Sequence, residues 1–392
     1  MSDIKIFTNN IDGKALDQVY TLAKQEAFED CKIRIMPDVH AGAGCVIGFT
    51  ADLGKKVIPN IVGVDIGCGM LTVELGNIDI DFDLLDKTIR EFVPSGRNVN
   101  ENILCDFHIK ELRCYKYLKE TEWIRKSIGS LGGGNHFIEI DVDEDNNKYL
   151  IIHTGSRNLG KQVAEYYQNV AIDKLIGKGK KKKDLQELIN QYKAEGREKE
   201  IQNAIAEFKS KEVKIPKELC YLIDTDRLDY LHDMGLCQKF AKKNRGIIAK
   251  TICDKMGWIA TGSFETIHNY IELETLIVRK GAISAKQGER VLIPINMRDG
   301  CIIGIGKGNE DWNWSAPHGA GRIMSRSQAK DNVTLEDYEK SMQGIYTTSV
   351  SKATIDESPM AYKPIDEIVE NIKPTVDIER IIKPIYNYKA SE

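Results

Sequence analysis

Apolar positions along the chain follow two periods. Leu16, Val19, Tyr20 and Ala23 recur at helical spacing behind Asn10 and Asp12, which reads as a capped helix. Asp83 to Phe92 repeats that period through Leu84, Leu85, Ile89 and Phe92, and so does Leu159 to Ile176. Asp226 to Met256 reads as mostly helical. Short β-type runs lie between the helices. Ile33-Arg34-Ile35-Met36 ends at Pro37-Asp38-Val39-His40, and Cys45 to Phe49 and Leu71 to Leu75 follow. Phe137 to Ile140, the polar turn Asp141 to Asn147 and the strand Tyr149 to Ile152 predict a hairpin ending at His153. Gly262 to Ile305 returns to short strands, among them Val291 to Pro294 and Cys301 to Ile305. Pro317-His318-Gly319-Ala320-Gly321-Arg322 is expected to open a helix through Met324. Helices and strands mixed in this way predict an α/β (α+β) fold with a mixed sheet.

One stretch changes local composition. Residues 174–214 carry twelve Lys and Arg against seven Asp and Glu, a surplus of five in a chain whose formal net charge is −4. Leu185, Leu188, Ile189 and Tyr192, then Ile201, Ile205 and Phe208, recur at helical spacing. We expect a projecting basic helical hairpin here, serving either as a solvated insertion or as an arm that docks RNA. No internal repeat or linker stands out, so 1–392 is expected to be a single domain.

The chain is 42% hydrophobic, ample for a large core. No apolar run approaches the ~20 residues of a membrane span, so no membrane partner is expected. Met1-Ser2-Asp3-Ile4-Lys5 lacks a secretory pattern. Nine cysteines without regular spacing fit a reducing, cytoplasmic setting better than a disulfide framework.

The candidate chemistry starts at Gly63-Val64-Asp65-Ile66-Gly67-Cys68-Gly69, a carboxylate and a thiol held between glycines. Alone it reads more readily as a buried Cys beside a turn Asp than as a metal site. Four histidines strengthen the metal reading. His136 follows Gly132-Gly133-Gly134, His153 ends a strand, and His268 and His318 open loops. All lie at strand or loop ends, where functional groups concentrate. His108 and His232 sit in charged surroundings and read as surface residues, and His40 is ambiguous. Gly155-Ser156-Arg157 and Gly319-Ala320-Gly321-Arg322 offer glycine amides beside an Arg, a phosphate-binding combination. The chain has no P-loop. Cys and His donors favour Zn²⁺ at least as readily as Mn²⁺.

Six blocks carry a resemblance: Met36 to His40, Gly63 to Gly69, Leu131 to Glu139, His153 to Arg157, Arg279 to Ala282 and His318 to Arg326. In that order they resemble the signature of the RtcB-type RNA ligases, across nearly the whole chain. The resemblance implies a compact α/β domain around a pocket for two Mn²⁺ ions. It implies a GTP-dependent ligase that joins RNA ending in a 2′,3′-cyclic phosphate or 3′-phosphate to RNA with a 5′-hydroxyl, in tRNA splicing or RNA repair. Cys68 would bridge the metals, with Asp65 and His136 at one and His153 and His268 at the other. His318 would be the nucleophile that takes GMP. Asn135, Glu139, Gly319, Ala320 and Gly321 would contact the nucleotide, with Tyr362 and Lys389 at the base. Arg157, Arg279, Lys280, Arg322 and Arg326 are expected on RNA or nucleotide phosphates. An accessory activator protein belongs to the partner set the resemblance leaves open. The chain departs from the family at Val278 and at Ile295-Asn296-Met297-Arg298. A metal-dependent RNA-end phosphohydrolase and a non-catalytic RNA-binding relict are the alternatives.

Overall fold

The computed structural model describes residues 2–210 and 215–389. The first third contains β1 (Asp3–Ile6), α1 (Gly13–Ala23), β2 (Lys32–His40), β3 (Ile47–Asp52), β4 (Gly69–Gly76), α2 (Phe82–Phe92) and α3 (Thr121–Lys126). The middle holds β5 (Phe137–Val142), β6 (Lys148–Thr154), α4 (Arg157–Leu175), α5 (Lys178–Ala194), α6 (Ile201–Ser210) and α7 (Asp224–Met256). Short strands follow: β7 (Gly262–Ile267), β8 (Asn269–Ile271), β9 (Ile277–Lys280), β10 (Ala282–Ser284), β11 (Arg290–Asn296), β12 (Gly300–Gly306) and β13 (Ser315–Pro317). The chain ends through α8 (Arg326–Asn332), α9 (Leu335–Ser341), β14 (Tyr346–Thr347), α10 (Ile365–Ile372) and β15 (Val376–Lys389).

Three sheets result. One runs β1-β2-β3-β9-β8, a second pairs β10 with β13, and the largest runs β11-β12-β15-β5-β6-β4-β7 with β14 beside β15. The outermost strands β11 and β7 of the large sheet touch each other, so it curls into a nearly closed barrel. The period of two along β5 and β6 decides what faces where. Ile138, Ile140, Leu150 and Ile152 pack outward against Ile248 and Ile252 of α7. Tyr149 and Ile151 pack inward with Leu292, Cys301, Ile303 and Ile382. Each fully buried Ile or Leu contributes about 1.5–3 kcal/mol relative to exposure. Buried on both faces, this hairpin is a firm base for the side chains at its ends.

Asp12 caps α1 by accepting from the Ala15 amide at 2.9 Å. α5 and α6 pack on each other, and α5 packs on α4. They form a helical hairpin within the basic stretch, whose residues 211–214 fall outside the described residues. The helix expected from Pro317 to Met324 is absent. β13 runs through Pro317, an irregular loop follows, and α8 starts only at Arg326 behind its Ser325 capping box. Gly321 explains the difference. Its φ is +77°, and a side chain there would overlap the Asp38 carbonyl. The loop is thus held flat against β2 rather than coiled. No helix among the described residues is long and apolar enough to cross a membrane.

Candidate active site

The Asp65–Cys68 loop is shaped by close backbone approach. Gly67 has φ +71°, and a Cβ on it would sit 2.9 Å from Gln238 Cα of α7. The Cys68 carbonyl accepts from the His268 amide at 2.9 Å, and the Gly67 amide donates to the Asn269 carbonyl at 2.7 Å. These bonds fix Cys68 at the head of β4 beside the start of β8. Strand pairing brings up the rest, since His153 of β6 lies in register with Met70 and with Phe137.

Five expected ligands converge. Cys68 Sγ lies 3.3 Å from His153 Nε2 and 3.6 Å from His136 Nε2. His136 Nε2 is 3.0 Å from Asp65 Oδ2. Donor atoms of Asp65, Cys68 and His136 form one group within 4.8 Å, and those of Cys68, His153 and His268 form a second. Cys68 belongs to both. Carbonyls set the tautomers: Nδ1 of His136 faces the Leu131 carbonyl at 2.9 Å, and Nδ1 of His153 faces that of Asn135 at 3.1 Å. Nδ1 of His153 donates there, which leaves its Nε2 as a lone-pair donor, while Nε2 of His136 faces the Asp65 carboxylate.

The electrostatics suit cation binding. Burial pushes the Cys68 thiol well above its usual range, and the Asp65 carboxylate adds to the effect. Burial also drives His153 and His268 well below theirs, so both rings are neutral near pH 7. Asp65 is held below the usual carboxylate range although burial opposes this, because His136 bonds to it. His268 Nδ1 is buried without a hydrogen-bond partner. An orphaned imidazole nitrogen beside a thiol, two further imidazoles and a carboxylate fits two divalent ions sharing Cys68.

His318 stands next to this cluster, its ring 4.9 Å from that of His268. Its Nδ1 donates to Asp38 Oδ2 at 2.6 Å, and its backbone amide reaches the same oxygen at 3.2 Å. Asp38 is fully buried. The pair fixes the ring and leaves Nε2 unencumbered. Asp65, Cys68, His153, His268 and His318 border a cavity of about 310 Å³, also lined by Asn135, Glu139, Gly319, Ala320, Gly321, Arg322 and Arg326.

At the far wall Tyr362 and Lys389 meet on one buried carboxylate, Glu357, each 2.7 Å from Oε2. Arg326 reaches Glu357 at 2.7 Å and Asp356 at 2.6 Å. Burial would raise the Glu357 pKa, yet Lys389 and then Arg326 bring it down to about 2.

The expected phosphate-binding cations divide. Arg322 and Arg326 border the cavity. Arg279 is fully buried, donating to Ser315 Oγ at 2.8 Å and Tyr270 OH at 3.0 Å. Lys280 is enclosed and donates to the Asn60 carbonyl at 3.0 Å. Arg157 has φ +55° and donates to the Gly96 carbonyl at 2.8 Å, and burial lowers its pKa to about 10. Each of these three donates to protein acceptors and braces the framework, whereas Arg322 and Arg326 are the two that border the cavity. His108 and His232 are exposed, as read from their charged surroundings.

Sequence reasoning gave no role to Asp38, Glu357 or Arg245, and left His40 open. His40 borders the cavity, and burial keeps it neutral. Arg245 of α7 donates to the carbonyls of Gly67 at 2.9 Å and Thr154 at 2.6 Å, tying the Cys68 loop to the end of β6. The Asp38-x-His40 pair at a strand end was the one available signal. Glu357 and Arg245 carried none.

A family model described as "tRNA-splicing ligase RtcB" matches residues 18–120 and 115–390. The chain belongs to the RtcB family. The RNA-splicing ligase RtcB of Escherichia coli K12 is 30% identical over 428 residues, spanning 99% of this chain and 97% of that protein. The tRNA-splicing ligase RtcB of Aeropyrum pernix is 26% identical, over 94% of this chain and 89% of its own. That of Nanoarchaeum equitans is 27% identical over 86% of this chain. An RtcB-type assignment agrees with the mixed α/β architecture and with the ligand groups that meet at Cys68.

Proposed function

We propose that this chain is a GTP- and Mn²⁺-dependent RNA ligase. It joins 2′,3′-cyclic phosphate or 3′-phosphate ends to 5′-hydroxyl ends through a histidine–GMP intermediate, in tRNA splicing or RNA repair. The observation that carries the reading is His318, held by Asp38 with Nε2 free and standing beside two ligand groups that share Cys68. Membership of a family whose relatives are named RNA-splicing ligases supports it.

In the first step His318 Nε2 attacks the α-phosphorus of GTP. The P–N bond forms as the bond to pyrophosphate breaks and takes its electron pair with it. Asp38 keeps the proton on Nδ1 and offsets the positive charge the ring acquires. Water first opens a 2′,3′-cyclic end to the 3′-phosphate, breaking its P–O2′ bond; a 3′-phosphate oxygen then displaces His318 from phosphorus, and the 5′-hydroxyl of the second RNA loses its proton, bonds to the 3′-phosphorus and displaces GMP. Asp65, Cys68 and His136 would hold one Mn²⁺, and Cys68, His153 and His268 the other. When bound, such ions polarise phosphoryl oxygens and neutralise developing charge. Asn135 and the Gly319–Gly321 loop cradle the α-phosphate, and Tyr362 and Lys389 hold the base. Arg322 and Arg326 take the remaining phosphates.

We also assign the chain to the cytoplasm, in keeping with nine unpaired cysteines. The 1–392 span is assigned as one catalytic domain carrying the 174–214 insertion. The test incubates purified protein with α-labelled GTP and Mn²⁺, or Zn²⁺ in parallel, beside His318→Ala. An acid-labile label on the native protein alone is the expected result. No label on metal-loaded protein would reject the ligase reading in favour of a phosphohydrolase.

A further inference from the structure

Asp38 holds two imidazoles, of which guanylylation employs one. Its side chain accepts from Nδ1 of His318 at 2.6 Å. Its backbone carbonyl faces Nδ1 of His40, two residues on, at 3.0 Å. A carbonyl can only accept, so the His40 proton sits on Nδ1 and Nε2 carries the lone pair. Among the described residues nothing bonds to that Nε2. His40 lies on the wall of the same cavity as His318.

Backbone packing fixes the second ring as firmly as the first. His40 ends β2 opposite Ile47 of β3, after a break in the ladder that begins past Ile35. Gly48 comes next in β3 with φ +83°, and a Cβ there would meet Asp38 Oδ1 at 3.0 Å and the Val39 backbone at 3.2 Å. From the other side, a Cβ on Gly321 would lie 2.3 Å from the carbonyl that His40 uses. Burial lowers the affinity of His40 for a proton, and His318 and Arg322 press the same way against the opposing pull of Asp38. The ring is thus neutral near pH 7, with a free acceptor beside the nucleophile.

Only some steps of the ligation need such an acceptor. His318 attacks GTP with its own lone pair, and the 3′-phosphate attacks with an anionic oxygen, so neither nucleophile gives up a proton. The 5′-hydroxyl must lose one as it bonds to phosphorus. We propose, resting on the ligase reading above, that His40 Nε2 is the general base of the sealing step. It takes the proton of the 5′-hydroxyl as O5′ bonds to the 3′-phosphorus. The bond from that phosphorus to the bridging oxygen breaks, and GMP leaves with the electron pair. His40, now imidazolium, returns its proton to solvent. The two rings on Asp38 divide the reaction between them: His318 carries the guanylate, and His40 readies the hydroxyl.

Opening of a cyclic end by water also releases a proton, so the test starts beyond that step, from RNA whose 3′-phosphate is already guanylylated. Native protein, His40→Ala and His40→Gln, each with Mn²⁺, seal this RNA in single turnover to an acceptor ending in a 5′-hydroxyl or in a 5′-thiol. A thiol ionises near pH ~8.5, as in cysteine, and needs little help from a base. Gln keeps a donor for the Asp38 carbonyl but offers no basic nitrogen, so it guards against lost packing. Both variants should seal the hydroxyl acceptor about 10²–10⁴-fold more slowly than native protein. They should lose far less with the thiol, and their self-guanylylation from GTP should stay within a few-fold of native. Native-rate sealing of the hydroxyl, equal slowing with both acceptors, or a parallel fall in guanylylation in His40→Gln would overturn the proposal. Native protein that seals neither acceptor would reject the ligase reading instead, so the two failures are told apart.

Discussion

Replacing Glu357 with Gln should cost stability in a pH-dependent way. The carboxylate is 4% exposed and receives Lys389 and Tyr362 at 2.7 Å each, with Arg326 at 2.7 Å on its other oxygen. Burial pulls its pKa up, the two cations pull it further down, and the outcome is about 2 against an ordinary 4.5. A depression of that size corresponds to about 3 kcal/mol of folding free energy. Because the folded-state pKa lies below the unfolded one, this contribution is complete above the ordinary value. It fades as the pH falls towards 2. Glu357→Gln should therefore lower stability by about 3 kcal/mol at neutral pH and by about half that at roughly pH 3. Urea unfolding followed by tryptophan fluorescence at both pH values measures the difference. A deficit of equal size at both would refute the reasoning, since the loss would then stem from packing and not from charge.

Asp38→Asn should slow self-guanylylation by roughly 10²–10⁴-fold with metal uptake intact, because the ring loses its acceptor but no ligand moves. Initial rates with labelled GTP, beside metal content, decide it. Gly155→Ala should weaken metal binding by about 10–100-fold, because a methyl there overlaps the Asp65 carboxylate. Competition with a chelator reads this, and unchanged affinity would show that Asp65 is not a ligand. Arg279→Met should destabilise the fold by about 3 kcal/mol or more, since it strips a buried network. The salt dependence of RNA binding should not change in that variant, whereas a flatter slope would return Arg279 to the RNA surface.

The strand-and-loop framework was legible because both faces of the β5–β6 hairpin are buried and its apolar run is continuous. The residues that meet at Cys68 were legible for a related reason. His136 and His153 sit where apolar runs stop, and Cys68 sits between glycines that no helix would tolerate. The loop after Pro317 was misread as helix because only the close approach to the Asp38 carbonyl requires the positive φ of Gly321. The packing around the arginines was hidden for a similar reason. A sequence shows that Arg279 is charged but not that Ser315 and Tyr270 already occupy it. Glu357 and Arg245 act through partners remote in the chain, and nothing local marks them.

The position of β15 bears on how the enzyme is made. It is the strand that a ribosome delivers after every other strand of the large sheet, yet it inserts between β12 and β5 instead of adding to an edge. Until it arrives, β12 and β5 each have an open edge, and Asn387 and Lys389 are missing from the cavity wall. If a nucleotide binds as proposed, a nascent chain holds Cys68, His136, His153 and His268 before the strand that completes the cavity wall. On that reading synthesis itself orders the two events, with the ligand groups delivered ahead of the last residues of the nucleotide pocket.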